Sequence, residues 1–180
     1  MEDNFQDVLS TLDALLGATN LEDVTADSNN FAEMPDGYYL CEVEKAELKA
    51  SKSSGSPMVV LQYKVVENGV DAIQDKDDIS LKEIKGTKNR KIFMNYVLKD
   101  DNSVKRFVTD MLKFEGEEKG KPILDKEYFT NSAILEDALE ILIGMRIYIQ
   151  SSTTEKSDGT TSNWKNLISW KRVDALELPL

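Results

Sequence analysis

Residues 37–66 constrain the fold of this chain more than any other stretch. Two runs rich in strand-forming residues, 37–50 and 58–66, flank a polar loop that contains Gly55 and Pro57. Runs of this composition, bounded by Gly, Pro and Ser, predict two β-strands joined by a flexible loop.

The apolar residues of the first run change phase halfway along it. A strand has a side-chain period of two, so one face can stay buried through the change only if the strand contains a β-bulge near residues 44–45. A long, bulged first strand is typical of a small barrel that bends around its own core. The two sets are Tyr39, Cys41 and Val43 on one parity and Ala46, Leu48 and Ala50 on the other.

The later patterns predict three more strands and two helices. A solvated loop over 67–89, with a short strand or helix at 79–84, precedes them. The order predicts a mainly β protein with helices, a five-stranded OB-fold barrel with a helical insertion between strands 3 and 4. The predicted strands are 90–99, 145–150 and 163–173, and the predicted helices are 102–114 and 132–143.

The N-terminal residues predict an amphipathic helix over 4–16, whose apolar residues recur at helical spacing before Gly17. An acidic linker follows it. The chain is therefore divided into an acidic helix and linker (1–34), an OB-fold domain (35–173) and a short acidic and apolar tail (174–180). The apolar stripe of the helix predicts docking on the domain, on a second copy or on another protein, and docking within the chain is the simplest of the three.

The residue inventory excludes several classes of function. The chain has one cysteine, Cys41, on an apolar parity, and no histidine. An intramolecular disulfide, a Cys/His metal site and a His-based general base are therefore excluded. No other catalytic arrangement or phosphate-binding glycine loop is present, so we expect no enzyme, cofactor or metal. Without a membrane-length apolar run, the sequence predicts a protein of a reducing cytoplasm with no membrane contact.

The distribution of charge qualifies the net charge of −11. Residues 1–36 hold nine acidic residues and no Lys or Arg, and residues 174–180 add two acids and no base. All 22 basic residues therefore lie in 37–173, beside 22 acids. A neutral body between acidic ends is compatible with nucleic-acid binding. The acidic ends are expected to repel nucleic acid, to recruit a partner or to keep the protein in solution.

A basic and aromatic face on the predicted strands is the candidate binding site. Single-stranded nucleic acid needs cations for its phosphates and exposed rings on which its bases stack. For each candidate aromatic residue the alternative role is packing in the core, and for each candidate lysine it is a solvated surface position. The candidate nucleic-acid-binding residues are Lys52, Lys64, Arg90, Lys91, Phe93, Asn95, Arg146, Tyr148, Trp164 and Lys165.

Short motifs at 35–39, 46–58, 90–93 and 142–147 also carry a family likeness. The sequence resembles the phage-encoded single-stranded DNA-binding proteins found beside phage recombination genes. The resemblance implies an OB fold that coats single-stranded DNA during replication or recombination in the cytoplasm of a bacterial host. It also implies that an acidic terminus recruits phage or host replication and recombination proteins.

Two functions are therefore expected. The first is a single-stranded DNA-binding protein with little sequence preference, acting in phage DNA replication or recombination. The alternative is a protein-interaction module whose acidic N-terminal helix recruits or inhibits a partner. The sequence leaves open whether the chain forms a homodimer.

Overall fold

The central element of the structure, a computed structural model that describes residues 2–18 and 34–180, is the long strand β1 (Gly37–Ala50). It pairs antiparallel with β2 (Pro57–Val65) along its second half and with β6 (Arg146–Glu155) along its first half. The chain divides into two units, Met1–Ala32 and Glu33–Leu180. All of the sheet lies in the second unit.

The predicted β-bulge in β1 is confirmed. The register with β2 shifts between Val43 and Lys45. Before the shift, Tyr39, Cys41 and Val43 are buried in the core, and after it Ala46 and Leu48 pack against the same core. The bulge therefore keeps one face of a fourteen-residue strand on the core despite the change of parity.

The described residues contain seven strands and four α-helices, with a 3₁₀ turn at Lys126–Phe129. Besides β1, β2 and β6, the elements are α1 (Glu2–Ala18), β3 (Gly69–Asp75), β4 (Asp78–Ile84), β5 (Lys91–Val97), α2 (Asp101–Met111), α3 (Ser132–Leu142), β7 (Thr161–Leu167) and α4 (Trp170–Ala175). The strand order is β4-β3-β1-β2-β5, and β6 pairs with both β1 and β7.

The prediction of a closed five-stranded OB barrel is wrong. The sheet has seven antiparallel strands and is open, because within residues 34–180 β5 pairs only with β2 and β7 pairs only with β6. The two additional strands are β3 and β4, which form a hairpin from the segment expected to be a loop. At the base of this hairpin, the Thr87 hydroxyl accepts from the Gly69 amide and donates to the Ile84 carbonyl. The buried threonine therefore ties the end of the hairpin to its beginning.

The last predicted strand is also shorter than expected. Strand β7 ends at Leu167, and residues expected to continue it form α4 instead. The helix and the residues after it cover the second face of β6 with a small apolar cluster. The cluster contains Tyr38, Tyr148, Ile168, Val173, Leu176 and Leu178.

The first unit is described by itself as α1, a seventeen-residue helix. It includes the predicted helix 4–16, whereas most of the predicted linker lies outside the described residues. Four apolar side chains of α1 are exposed by 46–59 %: Val8, Leu12, Leu15 and Leu16. Over residues 2–18 and 34–180, the helices are too short or too polar to cross a membrane.

Candidate nucleic-acid interface

The outer face of β1, β2 and β5 carries side chains in rows that cross the three strands. One row joins Lys45, Gln62 and Phe93, and the next row towards the end of β5 joins Glu47, Val60 and Asn95. Residues directly opposite one another in an antiparallel pair lie on the same face of a sheet. Phe93 and Asn95 therefore lie side by side on the outer face of β5, as the alternation of the sequence predicts.

Phe93 is the most exposed aromatic side chain within residues 34–180, at 59 % of its full surface. Its strand neighbours Ile92 and Tyr96 point inward and are buried. A phenyl ring held on a rigid strand with most of its surface in water is free to stack on a planar ligand.

A groove of about 510 Å³ begins at Phe93 and runs between β5 and the start of α2. We call it the β5–α2 groove. Its cations are Lys99, Arg106 and Lys165, and its acid is Asp100. Within residues 34–180, no ion pair engages Lys99 or Arg106. Its lining residues are Phe93, Met94, Asn95, Tyr96, Val97, Lys99, Asp100, Asn102, Ser103, Arg106 and Lys165.

The acid of the groove has a structural role at the start of α2. Asp100 is the N-cap, and its carboxylate accepts from the Ser103 amide at 2.7 Å. The Ser103 hydroxyl in turn lies 3.0 Å from the Asp100 amide, which completes a capping box. The hydrogen bond from the Ser103 backbone, followed by that from its side chain, lowers the pKa of Asp100. The capping box fixes the turn that brings Lys99 and Arg106 to the same groove as β5.

A buried polar chain lies beneath the groove. The Tyr96 hydroxyl donates to Asp110 Oδ2 at 2.9 Å, and Lys113 Nζ donates to Asp110 Oδ1 at 2.7 Å. Lys113 Nζ also donates to the Leu167 carbonyl at 3.0 Å. Burial, together with the nearby Tyr63 and Asp110, raises the pKa of Tyr96, so its hydroxyl keeps its proton and acts as a donor.

Two predicted phosphate contacts are paired with carboxylates on β1. Lys91 Nζ lies 2.5 Å from the carboxylate of Glu44, which also accepts from Gln62 at 2.9 Å. Partial burial acts to raise the pKa of Glu44, but the hydrogen bonds from Lys91 and Gln62 outweigh it and lower the pKa. Arg146 Nε similarly lies 3.3 Å from Glu42. A phosphate must compete with these carboxylates for both cations.

Tyr148 lies away from any surface on which a base could stack. Its ring is only 5 % exposed, in the apolar cluster beneath α4, and its hydroxyl donates to the Pro179 carbonyl. Burial raises the pKa of Tyr148 to about 12. The sequence placed Tyr148 on a polar parity correctly, but the residues after β7 cover that face.

The other predicted site residues are distributed around the sheet. Trp164 is 50 % exposed on β7, and its indole Nε1 donates to Thr154 Oγ1 at 2.9 Å. Lys64 lies opposite both Glu42 and Lys91 on the outer face. Lys52 is exposed in the loop between β1 and β2, and Arg90 is half-buried just before β5. The structure thus brings Phe93, Asn95 and Lys165 together in the groove and leaves the others outside its lining.

Sequence reasoning missed two cations of the groove, Lys99 and Arg106. Lys99 ends the predicted strand 90–99, on the same face as Phe93, and Arg106 lies on the polar side of a helix that the sequence predicts to pack on the core. The available signal was the short connection from β5 to α2, which brings the end of one element and the start of the other to the same place.

These features define a class of protein, a mainly β protein that presents an exposed aromatic ring and three cations beside the open edge of its sheet. The chain belongs to the family described as Protein of unknown function (DUF669), whose model matches residues 22–116, just over half of the chain. The matched residues include β1 to β5 and α2, and therefore most of the groove. No curated protein matches the chain.

Proposed function

We propose that the protein binds single-stranded DNA with little sequence preference and acts in DNA replication or recombination. The observation that carries the proposal is the β5–α2 groove, where the exposed Phe93 ring lies beside Lys99, Arg106 and Lys165. Stacking on an aromatic ring contributes about 1–3 kcal/mol per base and tolerates any base, because every base has a π face.

The local charge of the groove supports the same function in a chain that is acidic as a whole. The groove holds three cations and one acid, although the net charge of the chain is −11. The acid, Asp100, is engaged by the capping box at the start of α2. The phosphates of DNA therefore meet net positive charge in the groove, whereas the net negative charge of the whole chain does not favour association of DNA with the rest of the surface.

The resemblance to phage single-stranded DNA-binding proteins agrees with this assignment and adds a setting, the cytoplasm of a bacterial host. Binding of DNA in the groove does not require a closed barrel. Phe93 is the stacking residue, Lys99, Arg106 and Lys165 are the phosphate contacts, and Asn95 offers a polar side chain beside the ring.

A titration of the protein with fluorescent oligo-dT tests the proposal. We expect binding at low salt that weakens as salt is added, and competition by unlabelled single strands rather than by a duplex. Lys82→Gln on the exposed edge strand β4 is the matched control for Arg106→Gln, because it removes the same charge at the opposite edge of the sheet. Equal binding by the two variants would contradict the assignment of the groove.

A second candidate function is supported by α1. Its apolar side chains Val8, Leu12 and Leu16 are more than two fifths exposed, and residues 1–36 carry nine acids and no base. An acidic helix with an apolar face fits an apolar groove bordered by Lys or Arg on a partner protein, such as a replication or recombination protein.

Removal of residues 1–34 separates the two candidates. If the groove binds DNA, affinity for oligo-dT persists or rises, because eight acids are lost while every groove residue is kept. If the chain is only an interaction module, the intact protein does not bind oligo-dT, and the removal abolishes capture of a defined partner.

A further inference from the structure

We infer that Asp110 is a positioning residue for the β5–α2 groove, an inference that rests on the proposed DNA-binding function. Asp110 touches none of the groove space itself. Its carboxylate links β5 and β7, the two strands that line the groove, and its role is to hold them at the separation that a single strand of DNA requires.

Besides the start of α2, two strands at different edges of the open sheet line the groove. Phe93 and Asn95 lie on β5, whereas Lys165 lies on β7. Among the described residues, no backbone pairing joins these two strands. Their separation must therefore be fixed by side chains and by α2, which carries Asp110 and packs on β5.

The chain of hydrogen bonds through Asp110 supplies that link. Asp110 lies on α2, and Tyr96 donates to one of its carboxylate oxygens from β5. Lys113, two residues after the end of α2, donates to the other oxygen. The same Lys113 ammonium reaches the carbonyl of Leu167 at the end of β7. One carboxylate thus connects β5, α2 and β7, and all three elements contribute residues near the groove.

Burial holds the side chains of this hydrogen-bonded chain in one geometry. Asp110 and Tyr96 are both buried, and the Tyr96 ring packs edge-on against Phe107 with ring centroids 5.2 Å apart. Buried hydrogen bonds between charged groups are shorter and stronger than those in water, and they fix side chains in one geometry. A neutral amide at position 110 has one acceptor oxygen, so it cannot accept from both Tyr96 and Lys113 in the same way.

The test compares Asp110→Asn with Asp101→Asn in the full-length chain. Both variants remove one negative charge from α2, but Asp101 is exposed and pairs with Lys105 across one helical turn. Charge alone predicts slightly tighter DNA binding for both variants. We expect Asp101→Asn to bind oligo-dT as tightly as the wild type or slightly more so. We expect Asp110→Asn to bind about three- to tenfold more weakly, the loss of about one net hydrogen bond. Equal or tighter binding by Asp110→Asn would overturn the inference.

Distances between spin labels on α2 and β7 measure the groove without DNA. Cysteines introduced at the exposed positions Thr109 and Asn166 can be labelled selectively, because the native Cys41 is fully buried. We expect a narrow distance distribution for the wild type and for Asp101→Asn, and a broader or shifted one for Asp110→Asn. An unchanged distribution in Asp110→Asn would overturn the positioning role.

Two further observations keep the test decisive. If Asp110→Asn does not fold by circular dichroism, Tyr96→Phe replaces it, because that change keeps the ring and the ion pair and removes only one hydrogen bond to Asp110. Binding of Tyr96→Phe equal to wild type, with an unchanged label distance, then overturns the inference. Failure of the wild type to bind oligo-dT refutes the proposed function, whereas the label distances still decide the role of Asp110.

Discussion

Replacement of Phe93 by alanine tests the stacking role of the groove. The ring is 59 % exposed, so roughly two fifths of its surface is already buried against the protein. Full burial of a phenylalanine contributes about 1.5–3 kcal/mol, and the truncation should therefore cost the fold only about 1 kcal/mol. Loss of one stacked base should cost DNA binding about 1–3 kcal/mol, a decrease in affinity of roughly 5- to 150-fold.

The assay is a titration of fluorescent oligo-dT at low salt, with urea unfolding of each variant to confirm that it is folded. Ile73→Ala is the matched control, because Ile73 is an apolar side chain of β3 with 48 % exposure, on the hairpin at the opposite edge from β5. Phe93→Tyr should bind like the wild type, since it keeps a stacking ring, and Phe93→Leu should bind like Phe93→Ala. Equal affinities for Phe93→Ala and Ile73→Ala would refute the stacking role.

Three further predictions follow from individual contacts. Glu44→Gln should raise the affinity for oligo-dT a few-fold, because it releases Lys91 from its partner, and unchanged affinity in the same titration would show that Lys91 does not contact DNA. The pKa of Glu44 is lowered from its ordinary value of 4.5, so the ionised carboxylate stabilises the fold above pH 4.5, and this stabilisation is lost as the pH falls through the lowered pKa. Urea unfolding at a series of pH values should therefore show a smaller loss of stability on acidification in Glu44→Gln than in the wild type. Gly69→Ala should lower the free energy of unfolding by about 1–3 kcal/mol, because the added Cβ would lie 2.2 Å from the buried Tyr39 ring. Gly116→Ala is the control, because its added Cβ would lie 3.9 Å from the nearest atom, and it should have a much smaller effect in the same urea experiment.

The sequence predicted the parts of the fold that local periodicity controls. The bulge of β1 followed from the change of parity after Val43, and the exposure of Phe93 followed from alternation with the buried Ile92. Helices α2 and α3 followed from their apolar stripes and from polar residues at their starts. In each case, neighbouring residues in the chain determine the outcome.

The parts that were missed depend on what covers a surface from elsewhere. Tyr148 has the parity of an exposed residue, but Leu176 and Leu178 cover it from a segment thirty residues away. The β3–β4 hairpin turns at Lys76 with a φ of 55°, without the Asn-Gly or Asp-Gly pair that signals such a turn. The groove combines residues of β5, α2 and β7, and in the described part of the chain β5 and β7 do not pair with each other, an arrangement that no periodicity encodes.

The salt dependence of oligo-dT binding tests the central claim most directly. If Lys99, Arg106 and Lys165 each neutralise a phosphate, the slope of log K against log salt should be about −2 for a single strand. Arg106→Gln should make that slope less steep by about 0.7, and Lys82→Gln should leave it unchanged. A wild-type protein that does not bind oligo-dT at low salt, or a slope that Arg106→Gln leaves unchanged, would contradict the account.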